Sequence, residues 1–166
     1  MMRVAILGDT HVPSRANRIP DWVGEEIRRA DHTIHTGDFD SPSAYERVAD
    51  LTDGELTAVR GNMDPADADL PKTATITLED VTFVVSHGTG SPAGWHDRVA
   101  ETVREEAGPD AVGIAGHTHE VTDETVDGVR LLNPGSATGA SPADRETMYV
   151  AEIEEGDLEL ELLEGH

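Results

Sequence analysis

Short apolar runs alternate with amphipathic stretches along this chain, and together they predict an α/β fold. In the first third, three apolar runs are each followed by glycine and a polar residue, and two helix-like segments lie between them. This β-α-β-α-β order favours a mainly parallel sheet. The predicted strands are Val4–Leu7, Thr33–Thr36 and Leu56–Arg60, and the predicted helices are Trp22–Ala30 and Ser41 to about Leu51.

Beyond residue 72 the pattern changes to paired strands around one further helix. Two-residue turns such as Asp127-Gly128 join the runs, which is a strong hairpin signal. The predicted elements are the hairpins Thr73–Leu78/Val81–Ser86, Val121–Val126/Val129–Leu132 and Met148–Ile153/Leu158–Leu163, the helix Trp95–Ala107 and the strand Ala111–Ala115. Because the 166 residues contain no repeat or linker, we expect a single domain over residues 1–166. Two packed sheets flanked by helices fit this order best.

The composition adds an extreme negative charge, with 34 acidic residues against 12 basic ones and a formal net charge of −22. Lys72 is the only lysine, and the acids are dispersed rather than gathered in a tail. This pattern indicates a halophilic protein adapted to a high-salt cytosol, where salt screens self-repulsion; the alternative is an ordinary acidic protein. The same charge disfavours stable binding to nucleic acid and to anionic membranes.

The lack of long apolar segments and of cysteine bears on the expected location of the protein and on which metals it could bind. No apolar stretch reaches the roughly 20 residues of a membrane span, and the first residues lack the features of a signal peptide. We therefore expect a cytoplasmic protein with no membrane contact. There is no cysteine, so a metal site must use nitrogen and oxygen ligands, which suit Mn, Ni, Fe, Zn, Co or Mg.

The candidate chemistry is concentrated in five short motifs that mostly follow predicted strands and mostly include glycine. They are Asp9-Thr10-His11, Gly37-Asp38, Gly61-Asn62, Ser86-His87-Gly88 and Gly116-His117-Thr118-His119. Each motif alone is also compatible with a turn, a cap or a solvated side chain. Five together predict that distant ligands meet at one edge of a sheet. A mixed set of histidines and carboxylates of this size suits two metal ions, which promote in-line displacement at phosphorus.

This series of motifs resembles that of the calcineurin-like metallophosphoesterases, and in particular their small bacterial and archaeal phosphodiesterases of the YfcE type. The resemblance runs from Val4 to Ser136. It implies a four-layer α-β-β-α sandwich with two metals at the strand ends. The implied ligands of the first metal are Asp9, His11, Asp38 and His119, and those of the second are Asp38, Asn62, His87 and His117.

The activity that the resemblance implies is phosphoester hydrolysis by in-line attack of a water or hydroxide that bridges two divalent metals, with Mn favoured. Asp38, Asn62 and His87 are expected to take part in catalysis as well as in binding. Met63 stands where larger relatives carry histidine, and a thioether cannot protonate a leaving group. Asp64 is expected to orient its neighbours by hydrogen bonding. The favoured substrate is therefore a small phosphodiester or nucleotide with a good leaving group.

Two other functions stay open at this point. One is a phosphomonoesterase or nucleotidase, and the other is a non-catalytic scaffold like the small retromer subunit, whose fold is similar. Because all seven ligand positions carry competent side chains, catalysis is favoured over a scaffold role. A homodimer is also compatible with the sequence.

Outside the motifs, His32, His35 and the turn at residues 133–136 are interpreted as structural. Arg60 either pairs with an acid or binds a phosphate, and pairing is preferred.

Overall fold

The structure, a computed structural model, describes residues 1–65 and 68–165. These residues form ten strands and three helices. In chain order they are β1 (Met2–Leu7), α1 (Asp21–Arg29), β2 (His32–His35), α2 (Pro42–Thr52), β3 (Leu56–Ala58), β4 (Thr73–Leu78), β5 (Val81–Ser86), α3 (Trp95–Glu106), β6 (Val112–Ile114), β7 (Thr122–Val126), β8 (Val129–Asn133), β9 (Glu146–Glu154) and β10 (Asp157–Gly165).

The strands form two mixed five-stranded sheets, with the orders β10-β9-β1-β2-β3 and β4-β5-β6-β8-β7. In the first sheet β1, β2 and β3 are parallel, whereas β9 is antiparallel to both of its neighbours, β1 and β10. In the second sheet β5, β6 and β8 are parallel, and the edge strands β4 and β7 are antiparallel. The predicted four-layer fold is confirmed. The first sheet is mixed rather than mainly parallel because the last hairpin joins it at β1.

The alternation of side chains along β1 shows how the layers are held together. Val4 and Ile6 pack between the two sheets, whereas Leu7 packs on the outer face against α1. On that outer face α1 buries Val23 and Ile27. Each such side chain contributes roughly 1.5–3 kcal/mol through its burial. On the opposite side α3 covers the second sheet, so helices shield both sheets from water.

Local signals explain where most elements begin and end. The Ser41 hydroxyl accepts a hydrogen bond from Ala44 N at 3.2 Å, which caps α2 as predicted. The strand predicted over Leu56–Arg60 ends at Ala58, because Arg60 N donates to Pro71 O at 2.8 Å and leaves the sheet.

Within the described residues, no helix has the length and apolarity that a transmembrane segment needs.

Candidate metal centre

All seven predicted ligands lie at the carboxyl ends of parallel strands, where the two sheets meet at one edge. Asp9 and His11 follow β1, and the other motifs follow β2, β3, β5 and β6. The ligand atoms form two groups in which every atom lies within 4.8 Å of the others. One group is Asp9, His11 and His119, and the other is Asp38, His87 and His117. These two triads indicate a dinuclear metal site.

The backbone at these positions is unusual. Five of the seven residues have a left-handed backbone: φ is 50° at Asp9, 46° at His11, 63° at Asp38, 78° at His117 and 62° at His119. This conformation costs a non-glycine residue roughly 1 kcal/mol or more and persists only where the surroundings enforce it. Hydrogen bonds between neighbouring loops do so here, since Asp9 N donates to Gly37 O and His11 N to Asp38 O, each at 3.0 Å. The fold therefore holds the ligand loops in a strained arrangement.

In the first triad two imidazole nitrogens face each other. The Nε2 atoms of His11 and His119 are 3.1 Å apart. Each ring's Nδ1 is positioned to donate elsewhere, to the Asp40 carboxylate at 3.0 Å and to Ala140 O at 2.9 Å. Both Nε2 atoms then carry lone pairs, which repel at this distance unless a cation lies between them. The carboxyl oxygen Oδ1 of Asp9 is buried, has no hydrogen-bond partner among the described residues and lies 3.6 Å from His119 Nε2.

In the second triad Asp38 contacts ligands of both groups. Its Oδ2 lies 3.0 Å from His87 Nε2 and 3.5 Å from His11 Nε2, whereas its Oδ1 accepts a hydrogen bond from Met63 N at 2.8 Å. The Nδ1 of His87 is 2.8 Å from Thr36 O, to which it donates, so its Nε2 points inward at Asp38 and would offer its lone pair once a cation displaces the proton. Asp38 Oδ2 is thus the atom best placed to bridge two cations.

Asn62 and His117 complete the second group on its solvent side. The Nδ1 of His117 lies 3.1 Å from Asn62 Oδ1, and its Nε2 donates to Gly90 O at 2.9 Å. When the His117 ring is neutral, its Nδ1 is an acceptor. It then faces a second acceptor, Asn62 Oδ1, as the two Nε2 atoms face each other in the first triad. Asn62 is exposed and His117 is partly buried, whereas the other five candidate ligands are buried. The centre is therefore open to solvent on the side of these two residues.

The electrostatics of the site fit cation binding. Burial raises the pKa of Asp9 to about 7, with the charge of His87 opposing and that of Asp38 adding to the effect. Burial disfavours the charged form of His87, but its contact with Asp38 and the charge of Asp9 outweigh this and raise its pKa to about 9. Without a cation the cluster therefore retains protons between its acids and imidazoles. A divalent cation would replace them and neutralise the two buried carboxylates.

Asp64 ties together the loops that carry the ligands. Its carboxylate accepts hydrogen bonds from Asp38 N at 2.9 Å, from Asp40 N at 2.9 Å and from Gly61 N at 2.8 Å. The expectation that Asp64 orients its neighbours is confirmed. A side chain at Gly61 would overlap the Asp38 carboxylate, so glycine is required for this close approach.

Asp40 is a supporting residue that the sequence reading missed. It binds the imidazole of His11 from behind, and the only signal was its position two residues after Asp38. Such carboxylate–histidine pairs fix the ring and raise its basicity as a ligand. The backbone carbonyls of Thr36 and Ala140, which hold two other imidazoles, carry no side-chain signal at all.

Two of the residues interpreted as structural, His35 and Asn133, contact neighbouring loops of the fold. The buried imidazole of His35 stacks on Phe39 with ring centroids 3.6 Å apart, accepts from Gly37 N at 3.0 Å and contacts Thr10 Oγ1 at 3.2 Å. Burial lowers the pKa of His35 to about 3, so the ring stays neutral. Asn133 Nδ2 donates to the loop of the last motif, at 2.9 Å from Thr118 Oγ1.

We expect the Asp40→Asn protein to bind metal about 10- to 100-fold more weakly than the unmodified protein, the range for partners that support a ligand. The amide lacks the charge that polarises His11, and Asn tolerates the φ of 79° at this position, so the fold should persist. Titration calorimetry of the metal-free proteins measures the affinity. Asp53→Asn is the matched control, because Asp53 is an exposed helix cap with a φ of 53°. An affinity within about twofold of the unmodified protein's would show that Asp40 does not support a metal ligand.

With this geometry in view, the comparisons with known proteins define the class of protein. The sequence profile of the calcineurin-like phosphoesterase superfamily domain matches residues 2–156. The chain therefore belongs to this superfamily, as its motifs predicted.

Individual relatives agree with this assignment over nearly the whole chain. A protein of Methanothermobacter thermautotrophicus named "Probable metallophosphoesterase" is 31% identical over 163 residues, which cover 98% of this chain and 92% of that protein. Wild-type Vps29 from Entamoeba histolytica, solved in complex with Zn²⁺, is 26% identical with a TM-score of 0.78 and covers 98% of this chain and 99% of its own. A solved archaeal phosphodiesterase shares the fold, with a TM-score of 0.70, 22% identity and coverage of 98% and 100%.

Proposed function

We propose that this protein is a phosphodiesterase that requires two divalent metal ions. The observation that carries the proposal is the set of facing lone pairs in the two triads, with Asp38 Oδ2 close to ligand atoms of both. Membership of the calcineurin-like phosphoesterase superfamily supports the same chemistry.

The donor set fits two cations that share Asp38. The first would be held by Asp9, His11, Asp38 and His119, and the second by Asp38, Asn62, His87 and His117. Bound there, divalent ions would polarise a phosphoryl oxygen and make water nucleophilic at neutral pH. Histidine and carboxylate ligands accept several metals, of which Mn is our preferred candidate.

The protein's own residues orient the ligands, but the two residues after Asn62 offer no proton to the leaving group. The loop that carries Asn62 continues with Met63, whose side chain is 45% exposed and has no acidic proton. Asp64 follows, but its carboxylate already accepts three backbone hydrogen bonds and is buried. We therefore favour a diester whose leaving group departs as a stable anion over a monoester or a nucleotide with a poor leaving group.

The test is a series of aryl methyl phosphodiesters of graded leaving-group pKa, compared with the matching monoesters. Protein stripped of metal and reloaded with Mn, Ni, Fe, Zn, Co or Mg should hydrolyse the diesters and lose activity on chelation. The rate should fall by more than about tenfold across the series as the leaving-group pKa rises. Faster turnover of the monoesters with every metal would favour a phosphomonoesterase. Two bound metals without any turnover would favour a scaffold.

A further inference from the structure

A cleft of about 420 Å³ adjoins the second triad, and its described lining carries more basic than acidic residues. Asn62 and His87 form its boundary with the metal centre. Three cations, Arg60, Lys72 and Arg98, line it. Among its described lining residues the one acid is Asp64, whose oxygens accept backbone hydrogen bonds. The described part of the cleft therefore attracts anions, in contrast to the acidic protein as a whole.

The excess of basic residues in this cleft is unusual because basic residues are scarce in the chain. The protein has 12 basic residues against 34 acidic ones, and its only lysine, Lys72, lies in this cleft. Cations on the wall of a cleft concentrate an anion there even when the rest of the surface repels it. The distribution of charge therefore favours an anionic ligand beside the metal centre.

Arg98 is fixed in place by the loop that follows His87. Its Nη2 donates to Gly88 O at 3.0 Å and to Ser91 O at 2.9 Å. These bonds are to neutral carbonyls, so they orient the guanidinium without cancelling its charge. Its Nε is buried and has no hydrogen-bond partner in the described part of the chain. Ser86 and Thr89 line the same cleft and can supply further hydroxyl donors.

We propose that this cleft binds a second phosphate group of the substrate, next to the phosphodiester that is hydrolysed. The substrate class is thus a phosphodiester that carries a further phosphate, rather than a diester with a single charge. The ammonium and guanidinium groups match phosphate as charge-assisted donors. This inference rests on the proposed phosphodiesterase function and narrows its substrate.

Two pairs of substrates isolate the second phosphate. The first pair is ethyl 4-nitrophenyl phosphate with and without a phosphate on the ethyl group, and the second is ethyl phenyl phosphate with and without a phosphonomethyl group on the ring. In at least one pair, the more charged member should have a kcat/KM at least about tenfold higher, the scale of a charged hydrogen bond. Assays at low ionic strength preserve the effect, because salt screens it.

Variants of the cleft residues show whether these cations cause the preference. Lys72→Gln should lower kcat/KM about tenfold on the more charged substrate and by less than about twofold on its partner. Lys72→Arg keeps the charge and should keep most of the preference. Arg28→Gln removes an exposed cation on α1, outside the cleft, and is the matched control.

A chemical readout is independent of turnover. An amine acylating reagent can modify the chain at Lys72 and at the α-amino group of Met1, and peptide mass spectrometry separates the two. At about ten times its Kd, inorganic pyrophosphate should slow acylation of Lys72 about tenfold by mass action and leave Met1 unaffected.

The outcomes separate the two proposals. Equal kcat/KM within both pairs, or no protection of Lys72 by pyrophosphate, overturns the second-phosphate site and leaves the phosphodiesterase intact. An equal loss on both members of a pair in Lys72→Gln also overturns it. If protein with two bound metals hydrolyses none of the four substrates, the proposal of a phosphodiesterase is wrong. The proposed role of the cleft in substrate binding is then wrong as well.

Discussion

Replacement of Asp38 by asparagine is expected to abolish binding of both metals at stoichiometric concentration and to lower activity by more than about a hundredfold, beyond the range for supporting residues. Only an oxygen can accept the hydrogen bond from Met63 N, so the amide oxygen takes the position of Oδ1. The NH₂ group then occupies the position of Oδ2, beside His87 and His11, where it cannot ligate a cation. The change thus removes a ligand from both groups while the side chain keeps its size.

Metal analysis, calorimetry and melting curves together check this prediction. A saturating metal at about 1,000 times its Kd should raise the melting temperature (Tm) of the unmodified protein by about 10 °C, and Asp38→Asn should lose this rise. The Tm of the metal-free variant should itself fall somewhat, because the change removes the contact with Asp38 that raises the pKa of His87, so the rise on adding metal is measured within each protein. Asp110→Asn, an exposed change of the same charge, is the control. Two fully occupied metals in Asp38→Asn would contradict the bridging role.

The Tm of the metal-free protein is expected to rise by about 5 °C or more between 0.1 M and 1 M KCl. The net charge of −22 is one reason, and the β9–β10 hairpin is another. Across it Glu152 is directly opposite Glu159 and Glu154 is directly opposite Asp157. Such like-charge pairs destabilise a sheet by roughly 0.2–1 kcal/mol each, and the Debye length falls from about 10 Å to about 3 Å over this range. About 2 kcal/mol of relief corresponds to this change in Tm for a domain of this size.

Two changes on the same strand test whether the hairpin contributes. Glu159→Gln removes an acid that faces another acid, so it should raise the Tm in low salt and reduce the dependence on KCl. Glu164→Gln removes an acid that pairs with Arg145, so it should not raise the Tm in low salt. An unmodified protein whose Tm does not change with KCl would show that its composition is not an adaptation to salt.

The fold was predictable wherever a local signal fixes the backbone. The hairpin of β4 and β5 has the predicted bounds because the Glu79-Asp80 turn interrupts two alternating runs, and both turn residues have positive φ. The order of strands within a sheet depends on contacts between distant segments, which a local pattern does not contain. The pairing of β1 with β9, over 140 residues later in the chain, is therefore visible only in the structure.

The candidate site shows the same division between side-chain identity and backbone geometry. The motifs marked all seven residues that the structure brings together, because histidine and aspartate after strands are distinctive. They gave no sign of the left-handed backbone at His11, which depends on a hydrogen bond from its N–H to Asp38 O in a neighbouring loop. Asp40 escaped notice because one more acid carries little information in a chain with 34 of them.

The metal centre also joins segments that are far apart in the chain. His11 and His119, whose Nε2 atoms face each other, are 108 residues apart, and their loops follow strands of different sheets. In a chain without cysteine, a cation held by both acts as a cross-link, and closing a loop of about 100 residues with a disulfide is worth roughly 4–5 kcal/mol in the chain-entropy account. The first ligand group is complete only after His119 has been synthesised, so metal loading follows synthesis of most of the domain. Scarcity of metal should then shorten the lifetime of the folded protein against proteases as well as lower its activity.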